Sequence, residues 1–481
     1  MSAVPATATP RPTVPPSGVA ARALLARVPA AAWTLVLAVA LRGAYGRPRL
    51  GYDGWWALAW GRQLAHGGVP DLTAPVAPTP HPLAILVAAP LSVLGDAAPD
   101  AVGLLALLAL GAVGVTAAVL GARLFGPVAG ALAAAILLTR PLLVGEALQG
   151  SVDVPFLALA LGAAAALAHR DGPRADRAAA LLALAGLLRP EAWLLGLALL
   201  AWRRWDGRAA PAPAPGRLAV LAAVAAPLAW LLFDLACTGE PLHSLHGTRD
   251  LADGLGRPQS LGTALRVAPD YLTVVLGDQV ALLGGAAAIA ALWTVPRRAA
   301  LPLAVLGAGL AGFLVLGVAQ LPLLYRYTLL PAAALALLAA WAPSTARRTR
   351  GVSLLALVPL ALAVAPTVHG LHRQVTAARV LGGEQRDLTA LVAAAPRCAA
   401  DPLLPQQRAA PQVAYLLGRA PGAIRVGGAA PAHGVIFTPL PGSRAIRDRL
   451  APTDQPAPDP RATRSARPLA TRGAWAVMSS C

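Results

Sequence analysis

Three arginines stand where a guanidinium is costly: Arg140, Arg189 and Arg326 each fall at the outer end of an apolar run. Charge at membrane depth is unfavourable unless it is paired or used, so such residues point to function by default. Acids gather on the same side of the chain: Asp53, Glu146, Asp153, Glu191 beside Arg189, and then Asp234 and Glu240. One reading is an ion-pair network that holds helix ends together; the other is a site that binds an anion through Arg and uses a carboxylate as a base or metal ligand. A lipid-linked phosphate lies with its head group at the interface, so a transferase acting on it needs cationic donors at that depth and a carboxylate just above. Asp53 suits the proton of an acceptor hydroxyl attacking a sugar carbon, while Arg326 or a divalent cation neutralises the departing phosphate. Trp55 and Trp56 can stack on a sugar face or anchor at the membrane interface, and both readings stay open.

The elements that must position these residues are membrane helices. With 481 residues, 57% of them hydrophobic and 13% charged, and a mean hydropathy of +0.61, the chain carries more apolar surface than a soluble core can bury. The net charge of +18 comes from arginines, with no lysine, set in short clusters between apolar runs. That arrangement argues against a nucleic-acid partner. Residues 1–28 begin with a Pro-, Ala- and Thr-rich stretch and form an expected disordered cytoplasmic tail. Runs long enough to cross about 30 Å of hydrocarbon predict roughly eleven spans, near 29–45, 100–121, 127–143, 154–169, 177–189, 190–202, 217–234, 276–294, 301–320, 327–341 and 351–369.

Charge tests the count. With an uncleaved first helix running outward, the inner turns hold Arg123, then Arg170, Arg174 and Arg177, then Arg203, Arg204, Arg208 and Arg217. Arg297 and Arg298, and later Arg347, Arg348 and Arg350, keep the same side, as the positive-inside rule requires. The stretch Pro82 to Leu94 is too short to cross and would invert every later loop, so it reads as a juxtamembrane or re-entrant helix within a long first external loop, 46–99.

Residues 370–481 have ordinary composition, with strand-like runs such as Ala423 to Val426 and Gly434 to Phe437, and Cys398 begins the first expected strand. They predict a small extracytoplasmic α/β domain, in a compartment where a Cys398–Cys481 disulfide would persist. Cys237 is most simply a small buried hydrophobe. The polar segment Thr238 to Arg257 reads as an ordered loop over the site, where His243 and His246 serve either loop hydrogen bonding or a metal.

A family resemblance rests on Gly-Tyr-Asp-Gly-Trp-Trp at 51–56, Thr-Pro-His-Pro-Leu at 79–83, Arg-Leu-Phe-Gly at 123–126, Gly-Ser-Val-Asp-Val-Pro at 150–155, Leu-Leu-Arg-Pro-Glu at 187–191 and Tyr-Arg-Tyr-Thr-Leu-Leu-Pro at 325–331. In order and sidedness these resemble the GT-C membrane glycosyltransferases, which include protein O-mannosyltransferases, aminoarabinose transferases and the catalytic subunit of oligosaccharyltransferase. The resemblance, over about residues 29–345, implies a transmembrane GT-C-like domain over 29–369. It also implies an acceptor-activating, metal-binding role for Asp53, cation binding by Asp153, and donor-phosphate contact by Arg326. His81 with Pro82 looks like a substrate-binding His-Pro-Pro or Lys-Pro-Pro stretch with one Pro missing. Arg189 and Glu146 complete the expected substrate and phosphate site, and Mg2+ or Mn2+ is the implied cation. The first loop has one Asp rather than an acidic pair, and the second has Ser151 and Asp153 rather than Asp-X-Asp.

The expected architecture is thus a mainly α, polytopic bundle in the plasma membrane with a C-terminal α/β domain outside. The expected activity is inverting transfer of a sugar from a polyprenyl-phosphate donor to a cell-envelope glycan, lipid or protein acceptor. Rival readings are a transporter or lipid flippase, and an inactive scaffold of the same fold. A transporter tends to hold its polar groups near the midplane and to show internal repeats; this chain holds them at one edge, with no convincing repeat.

Overall fold

The computed structural model describes residues 29–168, 174–197, 217–344, 357–395, 403–404, 407–426, 434–440 and 467–479. The expected tail 1–28, Cys398 and Cys481 lie outside them. The helices are α1 Ala30–Tyr45, α2 Tyr52–Ala65, α3 Pro82–Ser92, α4 Ala98–Phe125, α5 Pro127–Leu138, α6 Pro141–Leu148, α7 Asp153–Leu167, α8 Arg174–Gly186, α9 Arg217–Thr238, α10 His243–Gly254, α11 Leu261–Leu276, α12 Asp278–Thr294, α13 Pro296–Val318, α14 Leu329–Ser344, α15 Leu357–Leu362, α16 Val364–Ala394 and α17 Ala410–Leu417.

Length and composition make this a multi-pass membrane protein, although its spans differ from a row of straight rods. Among the described residues, three helices are long and apolar enough to cross alone: Gly95–Phe125, Pro296–Val318 and Tyr325–Ser344. Two bent pairs, α5 with α6 at 60° and α11 with α12 at 115°, bring the number to five, and several shorter apolar helices stand beside them. The expected count of eleven is not reproduced helix for helix. The bends have local causes. Pro141 disfavours helical backbone at the preceding residue, and Arg140 is extended with φ −70° and ψ 118°. Gly277 breaks the second pair at φ 80°. Helix α11 was not expected, because Arg266, Pro269 and Asp270 interrupt its apolar pattern.

Small residues let the helices approach closely. A Cβ at Gly130 would sit 2.2 Å from the Ala118 carbonyl oxygen, so α4 and α5 meet backbone to backbone. Leu107, Leu110, Leu137, Val144, Leu157, Leu276 and Leu337 fill the common core. Helix α4 has 28 residues, which is about 42 Å of helix. Asp100, near its start, pairs with Arg49 at 3.7 Å, while Arg123, near its end, donates to the Ala165 carbonyl at 3.0 Å on the last turn of α7. The start of α7, where Asp153 stands, therefore shares one end of the bundle with Arg49, and Arg123 marks the other.

Helix α16 runs 31 residues without interruption, so the expected domain boundary at 369/370 falls inside one rod of about 46 Å. Its far end packs on a five-stranded sheet of β1 Leu403–Leu404, β2 Arg425–Val426, β3 Val435–Pro439, β4 Arg467–Arg472 and β5 Trp475–Ser479, in the order β2-β1-β3-β5-β4. The β1 pairings are parallel and those of β5 antiparallel. Leu388, Leu391, Val413, Phe437, Trp475 and Val477 form a second core beneath it. This unit is docked on the first loop: the Tyr415 hydroxyl donates to the Ser92 and Gly95 carbonyls at 3.2 and 3.0 Å, and Arg62 donates to the Tyr415 carbonyl at 2.6 Å.

Candidate active site

Backbone pairing puts the two loop acids side by side. The Arg49 amide donates to the Leu148 carbonyl at 2.6 Å and the Gly51 amide to the Gln149 carbonyl at 2.7 Å, so the Gly-Tyr-Asp stretch lies along the start of the Gly-Ser-Val-Asp stretch. Gly150 permits this contact. It has φ +66°, and a Cβ there would meet the Leu50 side chain at 2.7 Å. Asp53 then stands in the first turn of α2 and Asp153 in the first turn of α7, where the helix dipole favours a negative charge. A 3-10 turn, Tyr325–Thr328, supplies Arg326 just before α14. The break after α8 supplies Arg189, and Glu191 opens the helical stretch that follows it.

These residues meet. Arg326 Nη1 contacts Asp53 at 2.9 Å and its Nε faces Asp153 at 3.4 Å, so one guanidinium spans both carboxylates. Arg189 pairs with Asp153 and with Glu191, and the Ser151 hydroxyl donates to Asp153 at 2.8 Å. The Arg189 guanidinium lies 3.9 Å from the Tyr327 ring centroid and 5.3 Å from that of Phe156, a cation–π arrangement in a buried place. Arg189 and Asp153 are 4% and 1% exposed, so the pair acts as a strut, whereas the Arg326 side chain keeps 24% of its surface. All four residues line a cavity of about 770 Å³, together with Glu146, His81 and Tyr325. An apolar arm of the same wall is formed by Trp193, Leu194, Leu197, Pro227, Trp230, Leu231, Val315 and Leu316, and Thr79, Asp234, Ser244, Thr248 and Arg257 also line the cavity. Leu197 and Val315 in this set are 56% and 44% exposed.

His81 belongs to the site through the neighbouring loop. The Leu83 amide donates to the Leu187 carbonyl at 3.2 Å, and His81 Nδ1 donates to the Leu188 carbonyl, joining the Thr-Pro-His-Pro-Leu and Leu-Leu-Arg-Pro-Glu stretches. Burial pushes the imidazole below its ordinary value, so the neutral ring is favoured and its Nε2 is an acceptor. A neutral acceptor suits a hydroxyl better than a phosphate oxygen.

Other expected residues lie elsewhere. Trp55 and Trp56 do not line this cavity: Trp55 packs at 5.8 Å on Tyr415 and Trp56 at 4.9 Å on Trp60, both in core clusters. Their rings hold α2 against its neighbours. Arg140 donates to the Ile136 and Leu276 carbonyls and to Thr367 at 2.9 Å, bracing both helix bends away from the acids. Asp234 accepts from the Ser244 amide and hydroxyl at 2.8 and 2.6 Å, fastening α10 over the cavity as the segment 238–257 was expected to lie. His246 pairs with Glu240, and His243 approaches that same acid at 3.9 Å. Cys237 is half-buried with a free thiol. Tyr327, Trp193, Trp230, Arg257 and Arg408 line the cavity without having been singled out for it. Tyr327 was legible as the residue beside Arg326; Arg408 comes from a segment with no motif.

The carboxylates can be tested against a divalent cation. Mg2+ needs about six oxygen donors in tight octahedral geometry, and among the described residues no three His, Cys, Asp or Glu side chains converge to hold a metal. Asp53 and Asp153 turn toward the same guanidinium, so in this arrangement a cation would have to share both with Arg326. The donor set does not fit a metal while Arg326 is seated there.

Comparison with known proteins follows this geometry. No protein-family profile matches the chain, and no curated protein matches it by sequence. Solved structures do. ArnT from Cupriavidus metallidurans bound to undecaprenyl phosphate superposes with TM-score 0.59 at 14% identity, covering 93% of this chain and 97% of that one. The apo form of the same protein gives 0.56 at 16% identity, over 97% and 99%. The chain shares the fold of this protein. An oligosaccharyltransferase from Archaeoglobus fulgidus, solved with zinc and sulfate, has TM-score 0.55 at 12% identity, over 85% of this chain and 68% of that one. At these identities the likeness concerns the fold alone.

Proposed function

We propose that this chain is an inverting glycosyltransferase that moves a sugar from a polyprenyl-phosphate donor to an acceptor hydroxyl at the outer face of the plasma membrane. The observation that carries this reading is a single cavity that joins the Arg326–Asp53 pair, at 2.9 Å, to an apolar arm of Trp193, Leu197, Trp230 and Val315. An isoprenoid tail suits the apolar arm, and a phosphate suits the guanidinium. The structural neighbour that binds undecaprenyl phosphate supports the same choice of ligand.

The chemistry is an exchange of two C–O bonds. The acceptor oxygen attacks the anomeric carbon as its proton passes to Asp53, and the bond from that carbon to the phosphate oxygen breaks on the opposite side. Arg326 takes up the charge that develops on the departing phosphate. Donor binding also frees the base: a phosphate at Arg326 competes with Asp53 for the guanidinium and leaves a carboxylate oxygen available to the hydroxyl. Arg189, Glu191 and Ser151 hold Asp153, and so hold Arg326, in register.

The test is sugar transfer by the purified full chain from a panel of undecaprenyl-phosphate sugars, with Asp53→Asn as control. The expected result is transfer from one donor, reduced about 10²- to 10⁴-fold in Asp53→Asn while the protein stays folded. Solute uptake by reconstituted vesicles, with no donor consumed, would support the transporter reading instead.

A further inference from the structure

A second cavity, of about 310 Å³, lies between the first loop, α6, α16 and the C-terminal unit. It is a neighbour of the first: Gly51, Tyr52, Gln149 and Arg408 line both, and Tyr52 immediately precedes Asp53. Its character differs. Two indole rings, Trp55 and Trp475, and the polar side chains of Gln374, Gln412, Glu384 and Arg408 border it. The Trp55 and Trp475 N–H groups are both buried with no hydrogen-bond partner among the described residues. A buried donor left without an acceptor is unfavourable, and indoles with amides and a carboxylate form a set that hydroxyl groups satisfy. The set is held in place: Gln412 donates to the Gln385 carbonyl at 3.0 Å and to Thr389 at 3.2 Å, and Gln385 donates to the Leu50 carbonyl at 2.6 Å.

We infer that this cavity is the acceptor subsite and that it takes a neutral, hydroxyl-bearing sugar ring. The inference rests on the transferase reading, because it supplies the partner that reading leaves open. The donor fills the apolar arm and its phosphate meets Arg326. The acceptor hydroxyl must then approach Asp53 from another direction, and the second cavity abuts residues 51 and 52. Trp55 thus faces a sugar from the acceptor side, and the C-terminal unit selects the acceptor through Trp475, Gln412 and Arg408.

The test uses saturation-transfer NMR on the purified full chain, in micelles of a detergent without sugar head groups, with methyl glucoside as the probe. The expected result is saturation transfer to the glucoside that persists when undecaprenyl phosphate is saturating. It should fall several-fold in Gln412→Ala and in Ala377→Trp, which fills the cavity from an exposed position on α16, and should be retained in Arg326→Ala. Absence of saturation transfer in the unmodified protein, displacement by undecaprenyl phosphate, or indifference to both cavity substitutions overturns the subsite. Binding of undecaprenyl phosphate itself is followed by its phosphorus resonance, so failure of the donor reading shows separately from failure of the acceptor subsite.

Discussion

Arg189 and Arg326 sit in one cluster and do different work. Arg189 is enclosed by two carboxylates and two aromatic rings, and removing its partner Asp153 would leave a buried guanidinium short of one counter-charge. Asp153→Ala should therefore destabilise the protein by roughly 3–5 kcal/mol, read as an early thermal transition in detergent, whereas Arg326→Ala, at a more exposed position, should abolish transfer with a much smaller shift. Equal shifts for the two would reject this division of labour. His81 supplies a pH test. Its imidazole is pushed down by burial in the folded protein, so as pH falls below about 6.5 the unfolded chain takes up a proton before the folded one does. Folding stability should then drop with falling pH, by up to about 1.4 kcal/mol per unit, until the depressed folded value is reached. His81→Gln should flatten that part of the profile, as measured by melting temperature between pH 7.5 and 5.5; a parallel profile would mean that His81 is not the group responsible.

The elements that place these side chains are short loops locked by backbone pairing, and Gly150 is the most sensitive of them. Gly150→Ala combines left-handed backbone with a contact to Leu50, and is expected to cost roughly 1–3 kcal/mol and to lower transfer by loosening Asp53 from Asp153. Full activity in that variant would show that the two loops need not touch. Much of this arrangement was legible in the sequence, because Asp53, Asp153, Arg189 and Arg326 are conspicuous where charge is scarce. Their order along the chain also named the loops that carry them. The bends were less legible: Arg140 read equally as an anion-binding cation or as a brace of helix ends, and which ends it braces, the α5/α6 and α11/α12 breaks, is visible only once both helices are in place. Trp55 and Trp56 were ambiguous for a related reason. Indole suits an interface, a sugar face and a helix core alike, and spacing does not distinguish them.

At the scale of the whole molecule, the C-terminal unit closes over the first loop and so sits at the same end of the bundle as the acids. Tyr415, 3% exposed and bonded to two first-loop carbonyls, is a principal contact, and it lies more than three hundred residues from them in sequence. Tyr415→Phe should cost about 1 kcal/mol and increase hydrogen exchange at residues 92–95; unchanged exchange there would mean that the unit rests on the loop without holding it. The central claim is that a lipid phosphate and Asp53 compete for Arg326, and the affinity for undecaprenyl phosphate tests it most directly. In Arg326→Gln, binding should weaken about 10- to 100-fold, the loss of a charge-assisted contact. In Asp53→Asn, binding should tighten even as transfer is lost. Weaker binding in Asp53→Asn, or unchanged binding in Arg326→Gln, would contradict the account.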